Sequence, residues 1–238
     1  MKALSELRVK LFADGADRAK MLQLARDPRI RGFTTNPSLM RKAGVTDYEA
    51  FAREIVTSIP DRPISLEVFA DEFDEMERQA RIIASWGDNV YVKIPVTNTR
   101  GESSRELVRR LSHSGVKVNV TAILTLAQVR EALDALAGGS PACISVFAGR
   151  IADTGRDPVP IMAHAAQLAH AADNVELLWA SVRELFNIVQ ADQAGCDIVT
   201  VTPEVLAKLD LWGRDLEEYS LETVRTFYQD ARRSGYWL

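Results

Sequence analysis

With 238 residues, 47% apolar and 26% charged, the chain has an ordinary globular composition and enough length for one large domain or two small ones around a sizeable core. A formal net charge of −4 excludes a broad nucleic-acid surface, because phosphate backbones are held by clusters of lysine and arginine; any anion bound here should be small and locally recognised. The opening MKALSELRVKLFADG has no long apolar stretch with a cleavage site, and no later run approaches the ~20 apolar residues of a membrane helix, so a cytoplasmic location without a membrane partner is expected.

Short apolar runs rich in Val, Ile and Phe recur along the chain: LRVKLFADG from Leu7, IRGFTTNP from Ile30, PISLEVFAD from Pro63 and VYVKIPVT from Val90. VKVNVTAIL from Val116, ACISVFAGR from Ala142, VELLWASV from Val175 and CDIVTVTP from Cys196 complete the set, and each reads as a strand. Segments of helical spacing lie between them, such as ADEFDEMERQARIIASW, ESSRELVRRLSHSG and TLAQVREALDALAGG. Asp71, Ser103 and Thr125 suit helix starts; Gly115 and Gly138 suit helix ends. Cys143 and Cys196, each inside a strand-like run, are expected to be buried reduced thiols. His113, His164 and His170 lack metal-ligand spacing, and no metal site is expected. The tail of about 211–238, with Trp212, Tyr219, Phe227, Tyr228 and the terminal GYWL, predicts an extra helix with exposed aromatic residues that covers a barrel or docks on a neighbouring subunit.

No linker or shift in composition divides the chain, so residues 1–238 read as a single domain. Strict alternation of strand and helix demands parallel strands joined by right-handed crossovers, and eight such units in roughly 250 residues match an α/β fold of the (β/α)8 TIM-barrel kind. The competitor, an open doubly wound sheet, lacks support because no GxGxxG follows the first strand.

In such a barrel, chemistry sits at the C-terminal strand ends. Those positions hold Asp14; Thr34, Thr35 and Asn36; Glu67; Lys93; Asn119 and Thr121; Ser145 and Arg150; Ser181 and Arg183. Taken one at a time, each has a plain structural explanation: Asp14 as a helix cap, Asn36 as an Asx turn before Pro37, Ser145 as a satisfied core hydroxyl. Lys93 is different. A buried ammonium is costly, so it either pairs with acids such as Asp14 and Glu67 or loses its proton. In the second state desolvation and neighbouring cations lower its pKa from about 10.4, and the neutral amine can attack a ketone to form a Schiff base.

FTTNPSL at Phe33 to Leu39, VKIPVT at Val92 to Thr97, VNVTAILTLAQ at Val118 to Gln128, ISVFAGRI at Ile144 to Ile151 and ASVR at Ala180 to Arg183 resemble the transaldolase family, including its shorter fructose-6-phosphate-aldolase-like members. The similarity runs in order from about Asp14 to Pro203. It implies a class I aldolase-type barrel with Lys93 as the Schiff-base lysine, Asp14 as the acid/base, and Glu67 with Thr121 holding a catalytic water. It further implies that Asn36 and Asn119, with Thr35 and Ser145 nearby, hold the hydroxyls of a three-carbon unit, and that Arg150, Arg183 and Ser181 take the terminal phosphate. No cofactor is implied. Glu67 and Phe147 stand where the family's transferases carry glutamate and phenylalanine and its aldolase-like members carry glutamine and tyrosine, which favours transfer of dihydroxyacetone between sugar phosphates of the pentose phosphate pathway. A lyase releasing dihydroxyacetone is the alternative, and a noncatalytic sugar-phosphate-binding protein is a third reading. The loop TNTRGESS departs from the family pattern by one residue before its glycine, and its Arg100 adds a cation expected near the mouth. The short chain is similar to members that assemble into rings through a C-terminal helix, so a homo-oligomer is expected.

Overall fold

Residues 3–237 are described by a computed structural model; Met1, Lys2 and Leu238, the ends of the expected domain and of the terminal GYWL, lie outside the described residues. Each predicted apolar run contains a strand. The first half holds β1 (Lys10–Asp14), α1 (Arg18–Leu24), β2 (Ile30–Thr34), α2 (Pro37–Lys42), α3 (Tyr48–Ser58), β3 (Ile64–Glu67), α4 (Phe73–Ala84), β4 (Val90–Pro95) and α5 (Arg105–His113). The second holds β5 (Val118–Ile123), α6 (Leu126–Leu136), β6 (Ala142–Val146), α7 (Ala148–Asp153), α8 (Val159–Ala169), β7 (Val175–Trp179), α9 (Phe186–Ala194), β8 (Ile198–Val201), α10 (Pro203–Leu206) and α11 (Leu216–Ser234). Strands follow one another around a closed barrel in which β8 returns to pair with β1, and every pairing is parallel. The protein is therefore a (β/α)8 barrel with an additional C-terminal helix.

Burial on both faces explains why the strands read as nearly continuous apolar runs. Outward residues such as Phe33, Leu66, Val92 and Ile144 join the helices in the main core. Inward residues form a separate small cluster of Phe12, Cys143, Leu178, Ala180 and Ile198, with Tyr91 and Phe147 packed on it. Gly32 makes room for this floor: a Cβ there would stand 2.5 Å from the Phe12 ring. Because side chains repeat every second residue, Asp14 follows Phe12 onto the inner face, as Lys93 follows Tyr91, Ser145 follows Cys143 and Thr200 follows Ile198. The chain thus lays a polar storey on an apolar one at the C-terminal strand ends.

Thr125 caps α6 as expected, in a reciprocal box with Gln128. Asp71 and Ser103 each sit one residue before the helix caps, Glu72 and Ser104. Asp71 instead accepts hydrogen bonds from the backbone N–H and the hydroxyl of Thr99, both at 2.7 Å, tying the loop after β3 to the loop after β4. Gly115 and Gly138 take the left-handed backbone (φ 94° and 71°) that suits chain reversal after a helix. Cys143 and Cys196 are buried thiols. Among the described residues no helix is long and apolar enough to cross a membrane.

Candidate active site

Parallel pairing sets Glu67 abreast of Lys93, and Lys93 abreast of Asn119. Lys93 is only 5% exposed, so its ammonium needs partners within the protein. They are the Glu67 carboxylate at 2.8 Å and the Thr35 carbonyl, also at 2.8 Å. The acid that meets the amine is thus Glu67 and not Asp14, and among the described residues no cation takes part in its immediate contacts.

Asp14, half-buried at the end of β1, accepts a hydrogen bond from the Thr34 hydroxyl at 2.7 Å. Thr34 has one proton to give, so across its 2.5 Å contact with Thr200 the donor is Thr200. Burial pushes the Asp14 carboxyl above its ordinary value; the Thr34 bond and the charge of Lys93 pull against that rise, and the charge of Glu67 adds to it. Asp14 caps no helix: that place in α1 belongs to Asp17.

A second chain of bonds crosses from β6 to β3. Ser145 donates to Asn119 Oδ1 at 2.7 Å, and Asn119 Nδ2 donates to Ser65 Oγ at 3.1 Å. The Thr35 hydroxyl donates to the Ser65 carbonyl. Asn36 caps α2, its Oδ1 accepting from the Leu39 N–H at 2.9 Å just after Pro37. Its amide nitrogen thereby remains for the cavity. Thr121 is buried, and its hydroxyl has no protein partner among the described residues.

The arginines Arg150 and Arg183 come from α7 and the loop after β7. At Gly149 a Cβ would stand 1.6 Å from the Ser181 carbonyl oxygen, so only glycine lets α7 start so close to the loop after β7. Ser181 itself takes a left-handed backbone (φ 65°), unusual for a residue with a side chain. Asn187 accepts a hydrogen bond from the Arg183 backbone N–H at 2.9 Å, and Arg183 grips Asp153 through Nε and Nη2. The Arg150 guanidinium carbon stands 5.5 Å from the Phe147 ring centre.

One cavity of about 180 Å³ gathers most of these groups. Asp14, Asn36, Lys93, Thr121, Ser145 and Phe147 line it, together with Arg150 of α7 and Ser181 and Arg183 of the loop after β7. Thr35, Glu67 and Asn119 are not in its wall but stand behind it, bonded to Lys93, Ser65 and Ser145 as described. A neighbouring, mainly apolar cavity of about 190 Å³ shares Asp14 but is lined by neither Lys93 nor an arginine. Arg100 is not in the wall of this cavity; Glu72 and Glu102 hold its guanidinium, with Asp71 3.6 Å away, so the cation expected near the mouth is paired with carboxylates. Sequence reasoning missed Thr200, Ser65 and Asp153. The period of two in DIVTV would have found Thr200, and the three-residue step from Arg150 along a helix would have found Asp153.

Residues 11–236 match the family model described as Transaldolase/Fructose-6-phosphate aldolase. The chain is 33% identical over 202 residues to a probable transaldolase of Dehalococcoides mccartyi, covering 84% of this chain and 90% of the relative. It is 35% identical to a probable transaldolase 2 of Listeria monocytogenes (90% and 93% covered) and 36% identical to a probable transaldolase of a Chelativorans species (92% and 98%). Among solved structures, a putative lyase/mutase from Burkholderia cenocepacia superposes with a TM-score of 0.57 at 15% identity, covering 98% of this chain and 86% of that one. A 3-hexulose-6-phosphate synthase from Salmonella typhimurium superposes with a TM-score of 0.55 at 16% identity (82% and 89%). Likeness at such identities speaks for the barrel alone.

Proposed function

The chain belongs to the transaldolase/fructose-6-phosphate aldolase family, and from that premise we propose that it transfers a dihydroxyacetone unit from a ketose phosphate to an aldose phosphate through a Schiff base on Lys93, with no cofactor. The observation that carries the reading is a single cavity bordered by a primary amine, a carboxylate raised by burial and two arginines.

Attack by the Lys93 nitrogen on the ketose carbonyl needs the ammonium proton to leave first, and Glu67 at 2.8 Å is the carboxylate in contact to take it. Loss of water from the carbinolamine then gives an iminium; Glu67 and the unpartnered Thr121 hydroxyl can hold the water that shuttles protons in that step. Asp14 takes the proton of the hydroxyl two carbons from the iminium carbon, and that oxygen becomes the aldehyde of the departing sugar. The bond between its carbon and the next one toward the iminium breaks, and the electron pair of that bond flows into the iminium to leave an enamine. The aldose phosphate departs. An acceptor aldehyde takes the carbon–carbon bond in reverse, and hydrolysis returns the lysine. Arg150 and Arg183 hold the phosphate by charge-assisted bonds, so a remote grip aligns the reacting carbons. Transfer is favoured over cleavage because Phe147 lines the cavity where a phenol could protonate the enamine, and its ring carries no such proton. Fructose 6-phosphate and sedoheptulose 7-phosphate, sugars of the pentose phosphate pathway, are the expected donors.

Borohydride added with fructose 6-phosphate should trap a three-carbon adduct on the peptide bearing Lys93, and Lys93→Ala should abolish it. Lys93→Arg should fail as well, since guanidinium keeps its proton. An adduct elsewhere, or none, sinks the reading; glyceraldehyde 3-phosphate formed without erythrose 4-phosphate would turn it toward the lyase.

A homo-oligomer in the cytoplasm completes the proposal. The 19-residue α11 buries no residue, and Leu221, Val224, Phe227 and Tyr228 stand exposed along it. Such a helix is marginal unless its apolar stripe is covered, and a second copy of the chain would cover it. Sedimentation of the intact protein at the mass of one chain would refute this part.

A further inference from the structure

Arg183 is held at three levels. Gly149 lets α7 press against the Ser181 backbone, Asn187 fixes the Arg183 backbone N–H, and Asp153 at the end of α7 takes the guanidinium. The contact is two-pronged: Nε to Oδ1 at 3.1 Å and Nη2 to Oδ2 at 2.5 Å. A guanidinium carries five N–H donors in one plane, and this contact uses two of them on its side edge. The end edge, formed by Nη1 and the second Nη2 hydrogen, stays available in a residue that lines the cavity. Arg150, three residues before Asp153 on the same helix, joins Arg183 in holding the Asp153 carboxyl below its usual range.

We propose that Asp153 is the positioning residue of the anion grip: it locks Arg183 by the side edge so that the end edge meets the anionic tail of the sugar as a ready-made fork. The inference rests on the assignment of Arg183 to that tail. A carboxylate so close to an anion also repels it. The two side chains are 48% and 52% exposed, however, so water and salt screen that repulsion, whereas the rotamer freedom of a long arginine would otherwise have to be lost on each binding event. Orientation should outweigh repulsion.

Steady-state kinetics with fructose 6-phosphate and with unphosphorylated fructose test this in the full chain. Asp153→Ala is expected to raise KM for the phosphorylated donor about tenfold, with kcat within about twofold and the kinetics on fructose unchanged. Asp153→Asn, which keeps one acceptor oxygen, should fall between Ala and wild type. Inorganic phosphate should compete with fructose 6-phosphate more weakly in the Ala variant. A lower or unchanged KM for fructose 6-phosphate in Asp153→Ala, or an equal change with both donors, overturns the positioning role. If Arg183→Ala leaves KM for fructose 6-phosphate unchanged, the assignment of Arg183 itself fails, and the proposal with it; a strong effect of Arg183→Ala beside none of Asp153→Ala refutes the proposal alone.

Discussion

Where β3 and β4 lie abreast, and at the neighbouring ends of β1, β2 and β8, charge is largely buried and paired inside the protein: Lys93 with Glu67 and the Thr35 carbonyl, Asp14 with Thr34, which in turn meets Thr200. Where α7 meets the loop after β7, charge is left half in water, and Arg183 and Asp153 form an exposed pair. The two regions border one cavity, and under the proposed function they do different work. Proton movement at a carbonyl benefits from a site where each charge acts at close range with little screening. An anion that must be gripped and then released is better served by cations that keep part of their hydration, because neither state then strands a charge. Burial therefore marks where bonds should change and exposure marks where a tail should be exchanged.

The contrast can be broken most severely at Asp14. Asp14→Asn should cut kcat/KM by about 10²–10⁴, the usual contribution of a positioned acid/base. The same change should stabilise the fold at pH 7, because burial makes the charged carboxylate unfavourable in the native state. The sign follows from a folded-state pKa lying above the ordinary 3.8: the stability Asp14 contributes is complete below that value and is lost as pH rises through the folded-state value. The thermal advantage of Asp14→Asn should accordingly shrink to nothing as pH falls below about 3.8. An equal advantage at all pH values would remove burial as its cause.

Glu67→Ala probes the buried side by stability. It leaves the Lys93 ammonium with a carbonyl alone, and denaturant unfolding at pH 7 should show a loss of about 3 kcal/mol. Glu67→Gln should lose less, since an acceptor oxygen remains. A loss under about 0.5 kcal/mol for Glu67→Ala, the usual scale of a surface change, would show that the pair is not acting as a buried one. On the exposed side, Arg150→Ala should change stability by no more than about 0.5 kcal/mol while raising KM for a phosphorylated donor roughly ten- to a hundredfold. Equal loss with an unphosphorylated ketose would dissolve the distinction between the two regions.

The barrel was legible because its cause is local and repeated: runs such as VYVKIPVT and ACISVFAGR are apolar on both faces and are separated by helical segments at a steady interval. Lys93 stood out for the same reason, as the charge in an apolar run. Roles within the site were less legible. Glu67 and Asp14 both end strands, and nothing in the sequence said which of them meets the amine; register between β3 and β4 decides it. Asp71 marked a helix start and does stand one residue before the cap of α4, but both its oxygens go to Thr99, a residue of another loop. Arg100 read as a cation for the mouth but is neutralised by Glu102, two residues on in the same loop, and by Glu72, which only packing brings to it.

Sequence alone determined that the strands must be parallel and buried on both faces, and that side chains two apart share a face, because these follow from bond geometry and from the need to keep apolar surface out of water. Tertiary closure decided which polar ends would meet: the Thr35 carbonyl with Lys93, Thr200 with Thr34, Asp153 with Arg183. A contact between residues 166 apart in sequence, as Thr34 and Thr200 are, has no local signature, since it depends on the angle at which the last strand closes on the first.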